Sequence, residues 1–166
     1  MTERSGILVD TCALIALVNP NDPHHKTVRD YIEQAVLEGV ELYVSALTVA
    51  EFAVRQDLGS LDQQMFIIEG FEPPEAALAG RMEAQLTRDQ GDDRVRLKVD
   101  VMLIAHAEKI GVAGLLTTDA NSMAKYVRRL KLAGLTSVLP ILATDPFVPA
   151  KIHNPAIQSF LGGTTH

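Results

Sequence analysis

The stretch Gly6-Ile7-Leu8-Val9-Asp10-Thr11, running straight into Cys12-Ala13-Leu14-Ile15-Ala16-Leu17-Val18, decides the fold. Ile7, Leu8 and Val9 are apolar in succession rather than in alternation. A strand of that kind is covered on both faces, as in a parallel sheet. Thr11 is placed to cap a short helix over 12–18, and Pro20 stops it. A strand that feeds a helix directly is the building unit of an α/β domain. The strand also closes on an acid. A carboxylate at the end of a buried apolar run loses its water, so it needs a partner.

The same alternation continues outward along the chain. Asn21-Asp22-Pro23 is a turn, and 24–38 reads as a helix with Val28, Tyr31, Ile32, Ala35 and Val36 at 3-and-4 spacing. A second strand is expected at 41–44. Ser45 then caps a helix to 58, whose apolar residues are dense enough to predict deep burial. A third strand is expected at 65–68, a helix at 75–88, a polar loop at 89–94 and an apolar helix at 98–109. A fourth strand at 115–117, a helix at 120–132 and a fifth strand at 137–139 follow, with Pro140 ending the last. This pattern predicts a three-layer α/β/α sandwich around a central parallel sheet with right-handed crossovers. The domain spans 1–148. Pro, Asn, Gly and Thr accumulate over 149–166, which reads as a tail.

A chain of 166 residues and 18.0 kDa, 47% apolar and 22% charged, is one ordinary globular domain. Its single cysteine, Cys12, excludes an internal disulfide framework and a cysteine-based zinc cluster. The longest unbroken apolar run, from Cys12 to Val18, is too short for a bilayer, and the first residues lack the pattern of a signal peptide. A cytoplasmic setting and no membrane are therefore expected. The net charge of −6 argues against a protein that coats nucleic acid with a basic face. It does not exclude an enzyme that concentrates its acids in one site.

Four acids fall at one edge of such a sheet. Asp10 ends the first strand. Glu51 lies within two turns of the start of the helix after the second. Asp100 is expected in the first turn of the helix before the fourth, and Asp119 follows the fourth. The carboxyl edge of a parallel sheet is where sites form. Alone, Asp119 is an ordinary helix cap and Asp100 an ordinary partner for a helix dipole. Their neighbours make the set more specific. Thr11 stands beside Asp10, Thr117 stands two before Asp119, and Ser45-x-x-Thr48-x-x-Glu51 lays three polar groups along an otherwise apolar helix.

The order Val-Asp-Thr, Ser-x-x-Thr-x-x-Glu, Asp-x-x-x-Ile-Ala-x-Ala and Thr-x-Asp resembles the PIN-domain family over 5–147. Many members are metal-dependent ribonucleases, among them VapC-type toxins of toxin–antitoxin pairs. The resemblance implies a ribonuclease with Asp10, Glu51, Asp100 and Asp119 as catalytic and metal-holding acids. Thr11, Thr48 and Thr117 would support them. It also implies an RNA substrate, an antitoxin partner and a homodimer. Two departures weaken the toxin reading. Toxins of the family often carry an aromatic a few residues after the last acid, where this chain has Ala120-Asn121-Ser122-Met123, and Asn121 stands nearest to a fifth acid found in some members. The alternative is a PIN-like domain that binds RNA or protein with little or no cleavage.

Converging carboxylates repel; two unit charges 4 Å apart cost about 4 kcal/mol at an effective dielectric of 20. An all-oxygen set favours Mg²⁺ or Mn²⁺ over zinc. Arg94, Arg96 and Lys98 lead into the Asp100 helix, and Lys125, Arg128 and Arg129 share a face of the next; both groups are candidates for RNA phosphates. His24 and His25 read as surface residues, His106 as a packed histidine and Cys12 as a small hydrophobe. Three other α/β readings fail on residues. A receiver domain needs an acid at the end of strand three and a lysine after strand five, where Pro140 stands. A haloacid-dehalogenase-type phosphatase needs a second acid at Cys12. A dinucleotide-binding domain needs a glycine-rich turn after strand one.

Overall fold

In the computed structural model, which describes residues 3–158, five strands form one parallel sheet. These are β1 (Ile7–Val9), β2 (Leu42–Ser45), β3 (Ile67–Glu69), β4 (Gly114–Thr117) and β5 (Leu139–Leu142), in the order β3-β2-β1-β4-β5. The central strand β1 pairs Ile7 with Leu42 on one side and Val9 with Leu116 on the other. Side chains alternate between the two faces, as the period of a strand requires. Ile7, Val9, Val44 and Leu116 pack against α1 (Thr11–Val18) and α2 (His25–Glu38), together with Phe52 of α3 (Ala46–Arg55). Leu8 and Leu115 face α4 (Pro73–Gln85), α5 (Arg94–Ile110) and α6 (Met123–Leu132). The three-layer sandwich predicted from the sequence is the one that forms.

The boundaries differ where local chemistry outweighs hydrophobic pattern. α5 begins four residues earlier than expected, because Asp93 accepts the backbone N–H groups of Val95 and Arg96. Asp100 therefore lies in the second turn of its helix, not the first. α4 begins on Pro73-Pro74 rather than after them, with Glu72 and Glu75 closing a reciprocal capping box. The cap of α1 is Asp10, not Thr11.

Pro140 does not end β5 but lies inside it. This is an edge strand, and Leu139 and Ala143 donate their N–H groups to Ala113 and Thr117 of the β4 side. The missing N–H of Pro140 falls on the open side, where no ladder bond is lost. α3 is also less buried than its composition suggested. Thr48 and Phe52 are covered, while Ala50, Ala53 and Val54 face solvent, because only one side of the helix meets the core. After 148, Pro149–Ile152 forms a 3₁₀ turn that buries Ile152 in the α2 side of the core. Residues 159–166 of the expected tail lie outside the described residues. No described helix is long and apolar enough to cross a membrane.

Candidate active site

Parallel strands bring their carboxyl ends to one edge, and each of the four acids reaches that edge by a different element. Asp10 follows β1 directly. Glu51 rides α3, which leaves the end of β2. Asp119 closes the short turn after β4. Asp100 comes from α5, which packs across the sheet before β4 begins. All four line one open cleft of about 390 Å³, with Cys12, Arg55, Arg96 and Val99.

Each carboxylate is held. Asp10 Oδ1 accepts the Thr11 N–H at 2.7 Å, and Oδ2 accepts the Thr117 hydroxyl at 2.8 Å and the Cys12 thiol at 3.2 Å. Thr11 donates its hydroxyl to Glu51 at 2.6 Å, so one residue bridges two of the acids. Asp100 accepts the Ser122 hydroxyl. Asp119 accepts the N–H groups of Asn121 and Ser122 on one oxygen and the Arg96 guanidinium on the other.

Burial sets the electrostatics. Asp10 and Asp100 are each only 8% exposed. Loss of water raises the Asp10 pKa above the usual carboxylate range, against the pull of its donors at Thr117, Cys12 and Thr11, with the Glu51 charge adding to the rise. Asp100 is pushed up to about 7, first by burial and then by the charges of Asp10 and Asp119, against the opposing Ser122 hydrogen bond and Arg96 charge. The Cys12 thiol is pushed up to about 12 by burial and by Asp10, so it is a neutral donor at ordinary pH.

Hard oxygen donors in a crowded negative field suit a hard divalent cation. Asp10, Asp100 and Asp119 offer such oxygens within one cleft, so the chemistry of the donor set fits the group. Among the described residues, however, no three acidic, histidine or cysteine side chains converge closely enough to form a finished cage.

The remaining candidates divide. Thr11 and Thr117 touch the acids. Thr48 does not; its hydroxyl is fully buried in α3 and has no hydrogen-bond partner among the described residues. Of the basic residues before Asp100, Arg96 lines the cleft, whereas Arg94 and Lys98 are exposed outside it. Lys125 and Arg129 are not open to a ligand in this structure. Lys125 pairs with Asp89 and Asp92, and Arg129 pairs with Asp89 and donates to the Thr87 carbonyl. Arg128 points elsewhere, into a groove beside β5. Asn121 is exposed, at the rim of a smaller groove that adjoins Asp119. His106 is buried and hydrogen-bonded to Ser45 at 2.9 Å, with its pKa lowered by burial.

Two contributors escaped the sequence reading. Cys12 is not simply a small hydrophobe; its sulfur also accepts the Thr118 N–H and so ties the β4 end to Asp10. Ser122 reaches Asp100 from the turn that Asp119 caps. Its signal was its place three residues after Asp119, where a capped turn fixes the backbone.

Comparison with known proteins places this geometry. The chain is similar in structure to the VapBC2 complex of Rickettsia felis bound to a DNA fragment from its promoter, at 13% identity and TM-score 0.55 over 81% of this chain and 97% of that one. It is also similar to VapC20 of Mycobacterium tuberculosis, described as a sarcin–ricin loop cleaving toxin, at 18% identity and TM-score 0.51 over 81% of this chain and 100% of that one. DNA-bound VapBC of Salmonella typhimurium matches at 14% identity and TM-score 0.56, over 84% and 98% of the two chains. At such identities the likeness shows the fold. No curated protein matches the sequence. A family model, that of the PIN domain, matches residues 7–129. With three quarters of its length inside that match and the same architecture, the chain belongs to the PIN-domain family.

Proposed function

We propose that the chain is a divalent-cation-dependent endoribonuclease and the toxin of a toxin–antitoxin pair. The observation that carries the reading is the meeting of Asp10, Glu51, Asp100 and Asp119 in one cleft, with Asp100 pushed up to about 7. A field that strong is relieved by a cation. Asp10, Asp100 and Asp119 would hold Mg²⁺ or Mn²⁺. When bound, the cation would neutralise charge on the scissile phosphate and make a bound water more acidic.

The chain's own groups supply the rest. Thr117 and Cys12 fix Asp10 Oδ2, and Thr11 fixes Asp10 and Glu51 with one residue. Glu51 is the most exposed of the four acids and has one oxygen without a partner among the described residues. That oxygen is the group to accept a proton from the attacking water. The similarity to proteins solved as VapBC complexes supports an antitoxin partner, whose basic segment would complement this cleft. A homodimer in the cytoplasm belongs to the same proposal.

The test is cleavage of a mixed RNA pool by the purified chain with Mg²⁺ or Mn²⁺. Cleavage that stops with EDTA and is lost in Asp10→Asn is expected. RNA binding without cleavage under every cation condition would replace this reading with the binding-domain alternative.

A further inference from the structure

Asp119 has two carboxylate oxygens, and they do different things. Oδ1 accepts the backbone N–H groups of Asn121 at 3.0 Å and Ser122 at 2.9 Å. It holds the turn after β4. Oδ2 is the oxygen left to face the cleft, and Arg96 Nη2 donates to it at 2.5 Å. A guanidinium is permanently charged and has only donors, so it stands where a cation would stand.

The setting is not that of an ordinary surface pair. The Asp119 side chain is 11% exposed, while that of Arg96 is 61% exposed. The arginine stem rises from solvent at the first turn of α5, and its head reaches inward to a covered acid. Asp100 lies four residues further along the same helix, on the same face, and lines the same cleft as Arg96 and Asp119. The oxygen that Asp119 would offer to a cation is already occupied by the chain itself.

We propose that Arg96 is a built-in counter-ion that competes with the divalent cation for Asp119 Oδ2, and that displacement by the cation frees its guanidinium to hold a phosphate of the substrate. The inference rests on the cation-dependent reading above and goes beyond it. Without a cation, Arg96 offsets part of the repulsion among the acids. With one, the same side chain stands at the cleft mouth with a geometry suited to a phosphate. Cation loading and substrate binding then become coupled through one residue.

The test uses the full chain and Mn²⁺ alone, with free Mn²⁺ measured by electron paramagnetic resonance. Arg96→Gln is expected to bind Mn²⁺ about tenfold more tightly than wild type, and Arg96→Lys to fall between. Asp119→Asn is expected to bind more weakly, and Arg96→Gln added to it should give no further gain. In a second arm, fluorescence anisotropy follows a labelled single-stranded RNA in EDTA and in Ca²⁺. Wild type should gain affinity with the cation, and Arg96→Gln should lose that gain while keeping its EDTA affinity. Equal or weaker Mn²⁺ binding by Arg96→Gln, with Asp119→Asn still impaired, overturns the competition and leaves the cation cleft standing. No Mn²⁺ binding by any of these proteins overturns both. An equal loss of RNA affinity with and without Ca²⁺ overturns the release of Arg96, making it a constant contact instead.

Discussion

Two regions of the molecule are dense in charge and behave in opposite ways. In the cleft, acids of like sign are gathered, Asp10 and Asp100 are buried, and Asp100 is pushed up to about 7. Beside it, the loop between α4 and α5 brings Asp89 and Asp92 onto Lys125, Tyr126 and Arg129 of α6. There the Tyr126 hydroxyl and the Lys125 ammonium draw Asp92 down to about 2. Lys125 and Arg129 also lie over the Tyr126 ring, at 4.7 and 5.9 Å. Both sets are carboxylates, and Asp100 lies only eight residues beyond Asp92. What separates them is how much opposite charge the fold pairs with each: Lys125 and Arg129 with the two loop acids, and Arg96 with Asp119 among the four of the cleft. The second cluster ties down a loop; the first holds Asp10, Glu51 and Asp100 without an ion-pair partner among the described residues, which makes it the candidate place for a ligand.

The largest effect that would break this contrast is on activity. Asp10→Asn should lower the rate of RNA cleavage by about a thousandfold or more, since it removes a central acid while keeping its shape. In EDTA the same variant should melt at a higher temperature than wild type, because it removes one of the repelling charges. A clear fall in melting temperature would make Asp10 a structural residue. Thr117→Val removes the hydroxyl that holds Asp10 Oδ2. Cleavage should drop about ten- to a hundredfold with little change in fold, as circular dichroism would report.

The pH dependence sharpens the comparison further. Asp100 has a folded-state pKa raised to about 7 from an ordinary 3.8, so folding takes up a proton between those values. Stability in EDTA should therefore be greatest at low pH within this window and fall as pH rises from about 4 to about 7. The loss is on the order of a few kcal/mol, since each pH unit between the two values costs about 1.4 kcal/mol. Thermal melts of wild type and Asp100→Asn across pH 4 to 8 check this; the variant should lose part of the slope, the rest coming from Asp10, whose pKa burial also raises. Asp92 runs the other way: its contribution is present above the ordinary carboxylate pKa and is lost only as pH falls towards about 2. Asp92→Asn should scarcely move the melting temperature at pH 7, because exposed pairs contribute little. Its mark should be faster hydrogen exchange in residues 87–93.

The sequence disclosed the sheet because Ile7-Leu8-Val9 and Leu115-Leu116 are apolar in succession, which few other settings explain. Asp10 and Asp119 stand out for a related reason, since each follows a buried strand, whereas Glu51 and Asp100 lie inside helices and stand out only through their neighbours. The start of α5 was hidden among Asp89, Asp92 and Asp93, any of which could cap a helix until the backbone chose one. The depth of α3 was overread because alanines count as apolar whether or not anything covers them. Lys125 and Arg129 share a face by spacing alone, but spacing carries no record of the loop that folds back on them. Thr48 had the right interval along its helix and points into the interior instead.

The pairing of β1 with β4 has a consequence for how the chain is made. The Thr117 hydroxyl that holds Asp10 lies 107 residues further along the sequence, and β4 cannot dock until its own crossover helices exist. Contacts so distant close late in folding, after local helices have formed. On the ribosome, a chain that has emerged only as far as α4 carries Asp10 and Glu51 but neither Asp100 nor Asp119. The nascent protein thus has no cleft until α5, β4 and the turn after it have emerged, and whatever the cleft does begins only then.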